Sequence, residues 1–118
     1  MLEKIIEISM LYDFYGQLLT VKQQEILRLY HEDNYSLSEI ADEFQISRQG
    51  VQDAVKKAEK ALHEYERKLG LIHKFISTEK AINEIDNAIN QLIIENDDNE
   101  KLAAKLNNMK KIIDSLNE

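Results

Sequence analysis

The feature that most limits the fold is how little chain separates two helical patterns. Ser36 is a natural N-cap, and Glu39 stands three residues later, the capping-box spacing. Ile40, Ala41 and Phe44 then share one helical face. Ser47 offers a second N-cap only three residues after Phe44. From there Val51, Ala54, Val55, Ala58, Leu62, Tyr65 and Leu69 keep an apolar stripe at helical spacing. Two helices joined so tightly cannot lie antiparallel and must cross steeply, as in a helix-turn-helix. Ala41 fits, because a close crossing needs a small side chain at the contact.

The rest of the chain is expected to be helical too. It has 118 residues, no proline and three glycines, so little interrupts a helix. No alternating run reads as a strand, and the fold class is all-α. Residues 2–16 form a first amphipathic helix with Leu2, Ile5, Ile6, Leu11, Tyr12, Tyr15 and Leu19 on its buried side, and Gly16 lies near its end. The aromatic group Tyr12, Phe14 and Tyr15 reads as core, since tyrosine buries its ring and keeps its hydroxyl at an edge. Thr20 and Gln23 repeat the capping-box spacing and open a second helix, in which Ile26, Leu27 and Tyr30 face inward. His31–Tyr35 is a polar connector with Asn34 as a turn residue. Gly70 closes the long helix. A helix-turn-helix domain over residues 1–70 followed by an extension over 71–118 is the expected division.

That extension carries two coiled-coil-like seams. Ile82, Ile85, Ile89 and Leu92 form one; Leu102, Leu106, Met109, Ile113 and Leu116 form the other. Asn96-Asp97-Asp98-Asn99 interrupts the register with turn and N-cap residues. Two helices follow, over about 78–95 and 99–117. Isolated helices of this length are marginal in water, so the seams must be buried against the domain, each other or a second copy of the chain. A homodimer is one expected outcome.

Chemistry of an enzyme is not expected. His31, His63 and His73 are dispersed, no glycine-rich phosphate loop is present, and Asp97, Asp98 and Glu100 lack the pattern of a calcium loop. Neither a catalytic residue, a metal ligand nor a cofactor is assigned. With no cysteine there is no disulfide framework. The amino terminus lacks the pattern of a signal peptide, and apolar runs fall far below the ~18 residues of a membrane span. A cytoplasmic protein without a membrane partner is expected.

Charge points to one segment. The chain carries a formal −7, yet residues 45–69 hold six basic and four acidic side chains, while the segments on either side are net acidic. The second helix of the motif is thus the only basic stretch, which favours a local contact over general electrostatic capture of nucleic acid. Counting the unit from Leu37, the outward positions at the start of this helix are Ser47, Arg48, Gln49, Gln52, Asp53 and Lys56, those that enter a major groove. Arg48 suits guanine, and Gln49 or Gln52 suits adenine. Lys56, Lys57 and Lys60 suit phosphates. Gln45 stands where φ is often positive and glycine is preferred, and Asp53 would repel phosphate unless it meets a cytosine amine.

These residues also carry a family resemblance. Leu19–Leu29, Tyr35–Ala41 and Ile46–Val51 resemble region 4 of bacterial sigma factors, a helix-turn-helix that binds the promoter −35 element. The chain is more similar to the YlxM family of Gram-positive bacteria, through Tyr35–Ala41, Ser47–Asp53 and Lys57–Leu62. The resemblance covers roughly residues 5–75 well and the last third weakly. It implies a DNA-binding helix-turn-helix protein linked to the signal recognition particle, because the family's gene neighbours those of the particle's GTPases. The implied partners are DNA or the particle's RNA and GTPase. The alternative is an accessory of the particle that binds protein and reads no bases. Duplex RNA has too narrow a major groove for the usual mode of such a motif.

Overall fold

The computed structural model describes residues 2–116. Among them are six α-helices and no strand: α1 Leu2–Tyr15, α2 Val21–Leu27, α3 Leu37–Phe44, α4 Arg48–Leu69, α5 Leu71–Glu95 and α6 Glu100–Ser115. The chain divides into two compact units, one reaching Ile72 and the other starting at His73.

The boundaries in the first unit follow from short-range capping. At α2, the Thr20 hydroxyl accepts the Gln23 N–H at 3.2 Å, and the Gln23 side chain accepts the Thr20 N–H at 3.1 Å. Ser36 and Glu39 repeat this reciprocal box at α3, both bonds at 3.1 Å. Each box satisfies two of the N–H groups that a helix start leaves without partners. At α4 the Ser47 hydroxyl accepts the Gly50 N–H at 2.9 Å. A Cβ on Gly50 would lie 3.1 Å from that hydroxyl, so a side chain there would crowd the cap.

α4 is the post of this unit: α1, α2 and α3 each pack against it. Its buried stripe, Val51, Val55, Ala58 and Leu62, meets Ile8, Leu11 and Tyr15 of α1, Ile26 and Leu27 of α2, and Ile40 and Ala41 of α3 in one core. Burying each of these large aliphatic side chains stabilises the unit by about 1.5–3 kcal/mol before entropy is set against it. The carboxy-terminal half of α4 is therefore core as well as connector.

Several expectations change. The buried side of α1 is Ile8, Leu11 and Tyr15; Leu2, Ile5 and Ile6 are more than half exposed. The apolar residues of α1 are spread round the helix among Glu3, Lys4, Glu7 and Asp13, so spacing alone does not select the face, and its contact with α4 does. Phe14 is about one-third exposed and Tyr12 half-buried, leaving Tyr15 as the core aromatic. Tyr30 is also exposed, because α2 does not stop at a loop. It continues through a π-helical turn over Arg28–Glu32, and the wider turn swings Tyr30 outward. Asn34 then takes φ +55°, the left-handed region asparagine tolerates.

α5 begins seven residues earlier than the expected position 78, directly after Gly70. Gly70 has φ +63° and ends α4, its N–H bonded to the Glu66 carbonyl at 2.8 Å. No capping side chain precedes α5 locally. The Leu71 N–H instead donates to the Tyr15 hydroxyl at 3.1 Å, and the Ile72 N–H to Glu66 Oε1 at 3.0 Å. The Tyr15 hydroxyl in turn donates to Glu66. Burial and this hydrogen bond raise the Tyr15 pKa above its ordinary value.

In the second unit, the seams close on each other. Ile89 of α5 is buried with Leu106 and Ile113 of α6, and Ile82, Ile93 and Leu102 pack around them. Asn99 caps α6 by accepting the Leu102 N–H at 3.0 Å. Lys110 Nζ donates to Asn90 Oδ1 and lies 3.9 Å from Asp86, tying the hairpin across its polar side. α6 is described to Ser115, and the expected end at 117 lies outside the described residues.

Candidate nucleic-acid interface

The turn between α3 and α4 is three residues long, Gln45, Ile46 and the N-cap Ser47. Gln45 takes φ +54°, and both it and Ile46 return their N–H groups to the Ala41 carbonyl. A left-handed residue other than glycine costs roughly 1–2 kcal/mol. The core contacts of Ile40, Ala41 and Val51 on either side hold it in place. The turn sets Val51 of α4 into the core and leaves the opposite side of the helix start exposed.

All eight residues singled out for this face are exposed: Ser47, Arg48, Gln49, Gln52, Asp53, Lys56, Lys57 and Lys60. Arg48, Gln52 and Lys56 stand at i, i+4 and i+8, a single row along the helix surface. Among the described residues, Arg48, Lys56, Lys57 and Lys60 form no ion pair with a carboxylate. Arg67, farther along α4, is engaged: its Nη2 lies 3.0 Å from Glu64 Oε2. Four cations at the start of α4 therefore keep their full charge available for an anionic partner.

Two of the polar residues have local tasks. The Ser47 hydroxyl accepts the Gly50 N–H, which leaves its proton and one lone pair for a ligand. Gln49 Nε2 donates to Asp53 Oδ1 at 3.0 Å, four residues on. Asp53 thus orients the Gln49 amide along the helix, with one amide hydrogen and the carbonyl oxygen left to face outward.

One part of this surface was not legible from spacing. Beside Gln52 and Lys56 runs a groove whose other walls are Lys4 of α1, Tyr30 of the π-helical turn, Leu37 of α3, and Val55 and Glu59 of α4. A second hollow shares Lys4, Tyr30 and Glu59 and continues to His31, Asn34 and Tyr35. There the His31 Nε2 is buried without a hydrogen-bond partner among the described residues, and Glu59 Oε1 lies 3.9 Å away, beyond hydrogen-bond reach. Burial lowers the His31 pKa; Glu59 opposes that shift and Lys4 adds to it.

Among the described residues, no group of three or more histidine or carboxylate side chains is placed to hold a metal ion. Among the same residues, no helix is long and apolar enough to cross a membrane.

Comparison with known proteins agrees with this architecture. Residues 2–118 match the model of the UPF0122 family, described as "Putative helix-turn-helix protein, YlxM / p13 like". A UPF0122 protein of Listeria welshimeri is 44% identical over 86 residues, 73% of this chain and 78% of its own length. One from Geobacillus sp. is 45% identical over 91 residues, 77% of this chain and 83% of its own. One from Acetivibrio thermocellus reaches 50% over 84 residues, 71% of this chain and 72% of its own. With α3 and α4 forming the motif and the match running along the chain, this protein belongs to the UPF0122, YlxM/p13-like family of helix-turn-helix proteins.

Proposed function

We propose that the protein is a non-enzymatic nucleic-acid-binding module of the cytoplasm that reads duplex DNA with the first turns of α4. The observation that carries this reading is the exposed row of Arg48, Gln52 and Lys56, with Lys57 and Lys60 beside it: these four cations have no ion pair among the described residues, in a chain of formal charge −7. In this reading Arg48 bonds guanine, Gln49 and Gln52 bond adenine, Asp53 holds Gln49 and faces a cytosine amine, and Lys56, Lys57 and Lys60 meet phosphates. The test is a titration of labelled duplex DNA, and separately of the signal recognition particle RNA, at two salt concentrations. Saturable binding that weakens with salt is expected for DNA. Absence of such binding to either nucleic acid disposes of the reading.

We also propose that the protein works beside the signal recognition particle, a reading that the family resemblance supports. The resemblance supports a second reading too, in which the motif is a scaffold and the protein is an accessory that binds the particle's GTPase. Asp53 on the reading face and the acidic remainder of the chain favour it, since an acidic surface suits a basic protein partner. Capture of the purified GTPase after nuclease treatment is its expected signature, and no capture removes it. The exposed seam residues Ile85, Leu92, Met109 and Leu116 support self-association, which would give the two-fold symmetry that paired half-sites require.

A further inference from the structure

We propose that Lys4 belongs to the nucleic-acid interface, where it and Lys56 grip one backbone phosphate in the groove between α1 and α4. The inference rests on the DNA-binding reading and adds a contact from a helix outside the motif. Lys4 is on the first turn of α1 and lies 52 positions before Lys56, yet both line one open groove with Gln52. That groove is about 190 Å³, several times the ~30 Å³ a water molecule occupies in the liquid. Gln52 belongs to the row that faces the bases, so a duplex seated on α4 brings its backbone past this groove.

The charges in the groove favour an anion. Its walls carry two lysines and one carboxylate, Glu59. Neither lysine forms an ion pair among the described residues. The Glu59 side chain is largely buried and is turned toward His31 in the neighbouring hollow, 3.9 Å from Nε2. Two other carboxylates lie near this end of α1: Glu3, exposed and not on the groove walls, and Glu7, 3.5 Å from His63 Nε2 farther along α4. Two unpaired ammonium groups from different helices repel each other across the groove unless an anion lies between them. A phosphodiester oxygen supplies that charge, with the exposed Tyr30 hydroxyl and the Gln52 amide on the same walls as neutral donors. A contact of this kind positions the duplex and carries no base preference.

The experiment measures the affinity of the full chain for a fluorescein-labelled mixed-sequence DNA duplex between about 50 and 200 mM salt. The proteins compared are the wild type, Lys4→Ala, Lys4→Arg and, as a control on α5, Lys80→Ala. Circular dichroism and thermal melts confirm that each is folded. Loss of one phosphate contact lowers the slope of log K against log salt by about 0.9. Lys4→Ala is expected to show that decrease, Lys4→Arg to retain the wild-type slope, and Lys80→Ala to leave it unchanged. A wild type that binds with a steep slope while Lys4→Ala keeps the same slope overturns the assignment of Lys4 and leaves the DNA-binding reading intact. Weaker binding by Lys4→Ala at unchanged slope overturns it as well. A wild type that binds no duplex at either salt overturns both.

Discussion

Tyr15 and Glu66 together start a helix that neither belongs to. The tyrosine hydroxyl donates to the glutamate, and the pair accepts the N–H groups of Leu71 and Ile72 at the first turn of α5. Removing the hydroxyl in Tyr15→Phe strands the Leu71 N–H and one carboxylate bond in a half-buried position. The expected result is a melting midpoint lowered by a few degrees and faster hydrogen exchange at Leu71 and Ile72. Unchanged exchange at both amides would rule the cap out. The sign of the pH effect follows from the raised Tyr15 pKa: the stabilisation is present below the ordinary phenol value of 10.0 and is lost as pH rises through the folded value.

Gln45 predicts a stabilising substitution. Its φ of +54° is a conformation glycine takes without a Cβ penalty, though glycine gives back part of the gain through a looser unfolded chain. Gln45→Gly is expected to raise the unfolding free energy by about 0.5–1 kcal/mol, read from urea denaturation at constant slope. A loss of stability would show that the Gln45 side chain makes a larger contribution than the turn geometry implies.

His31 makes the fold sensitive to mild acid. Burial depresses its folded pKa below the ordinary value of 6.5, so the unfolded chain binds the proton more readily. The stability is fully present above about 6.5 and falls as pH drops through the window beneath it. Denaturation midpoints measured from neutral pH down to mildly acidic pH should decline for the wild type and decline less for His31→Gln. Equal declines would assign the acid sensitivity to other groups.

On the reading face, the two kinds of contact separate by their effect on sequence preference. Arg48→Ala should lose about 1–3 kcal/mol of discrimination at a guanine position. Lys57→Ala should weaken binding to all duplexes alike and reduce the salt slope by about 1. Asp53→Asn should tighten binding to mixed-sequence duplex, because it removes a negative charge from the face while an amide oxygen can still accept from Gln49. Competition titrations with variant duplexes distinguish the three.

The hairpin of α5 and α6 has an inner and an outer apolar set. Ile89→Ala opens a cavity at its buried centre and should cost about 2–5 kcal/mol of stability in this unit. Replacing the exposed Ile85, Leu92, Met109 and Leu116 with glutamate should leave the hairpin folded and convert a dimeric mass to a monomeric one by light scattering. A wild-type chain of monomeric mass would end the dimer proposal.

Much of the helix-turn-helix was legible because its determinants are local. Thr20 with Gln23, Ser36 with Glu39, and Ser47 with Gly50 act over three residues, and chain spacing alone states where such a helix begins. The outward face of α4 followed from the same periodicity that buries Val51, Val55, Ala58 and Leu62. Tertiary structure decided everything that depends on a distant partner. It chose Ile8, Leu11 and Tyr15 over Leu2, Ile5 and Ile6, since contact with α4 selects among apolar residues that are spread round the helix. It started α5 at Leu71 through a tyrosine hydroxyl 56 positions earlier. It turned five seam residues inward on one another and left four exposed. It also set Lys4 beside Lys56. Caps and periodicity are written in neighbouring residues; burial and charge proximity arise only once separate helices meet.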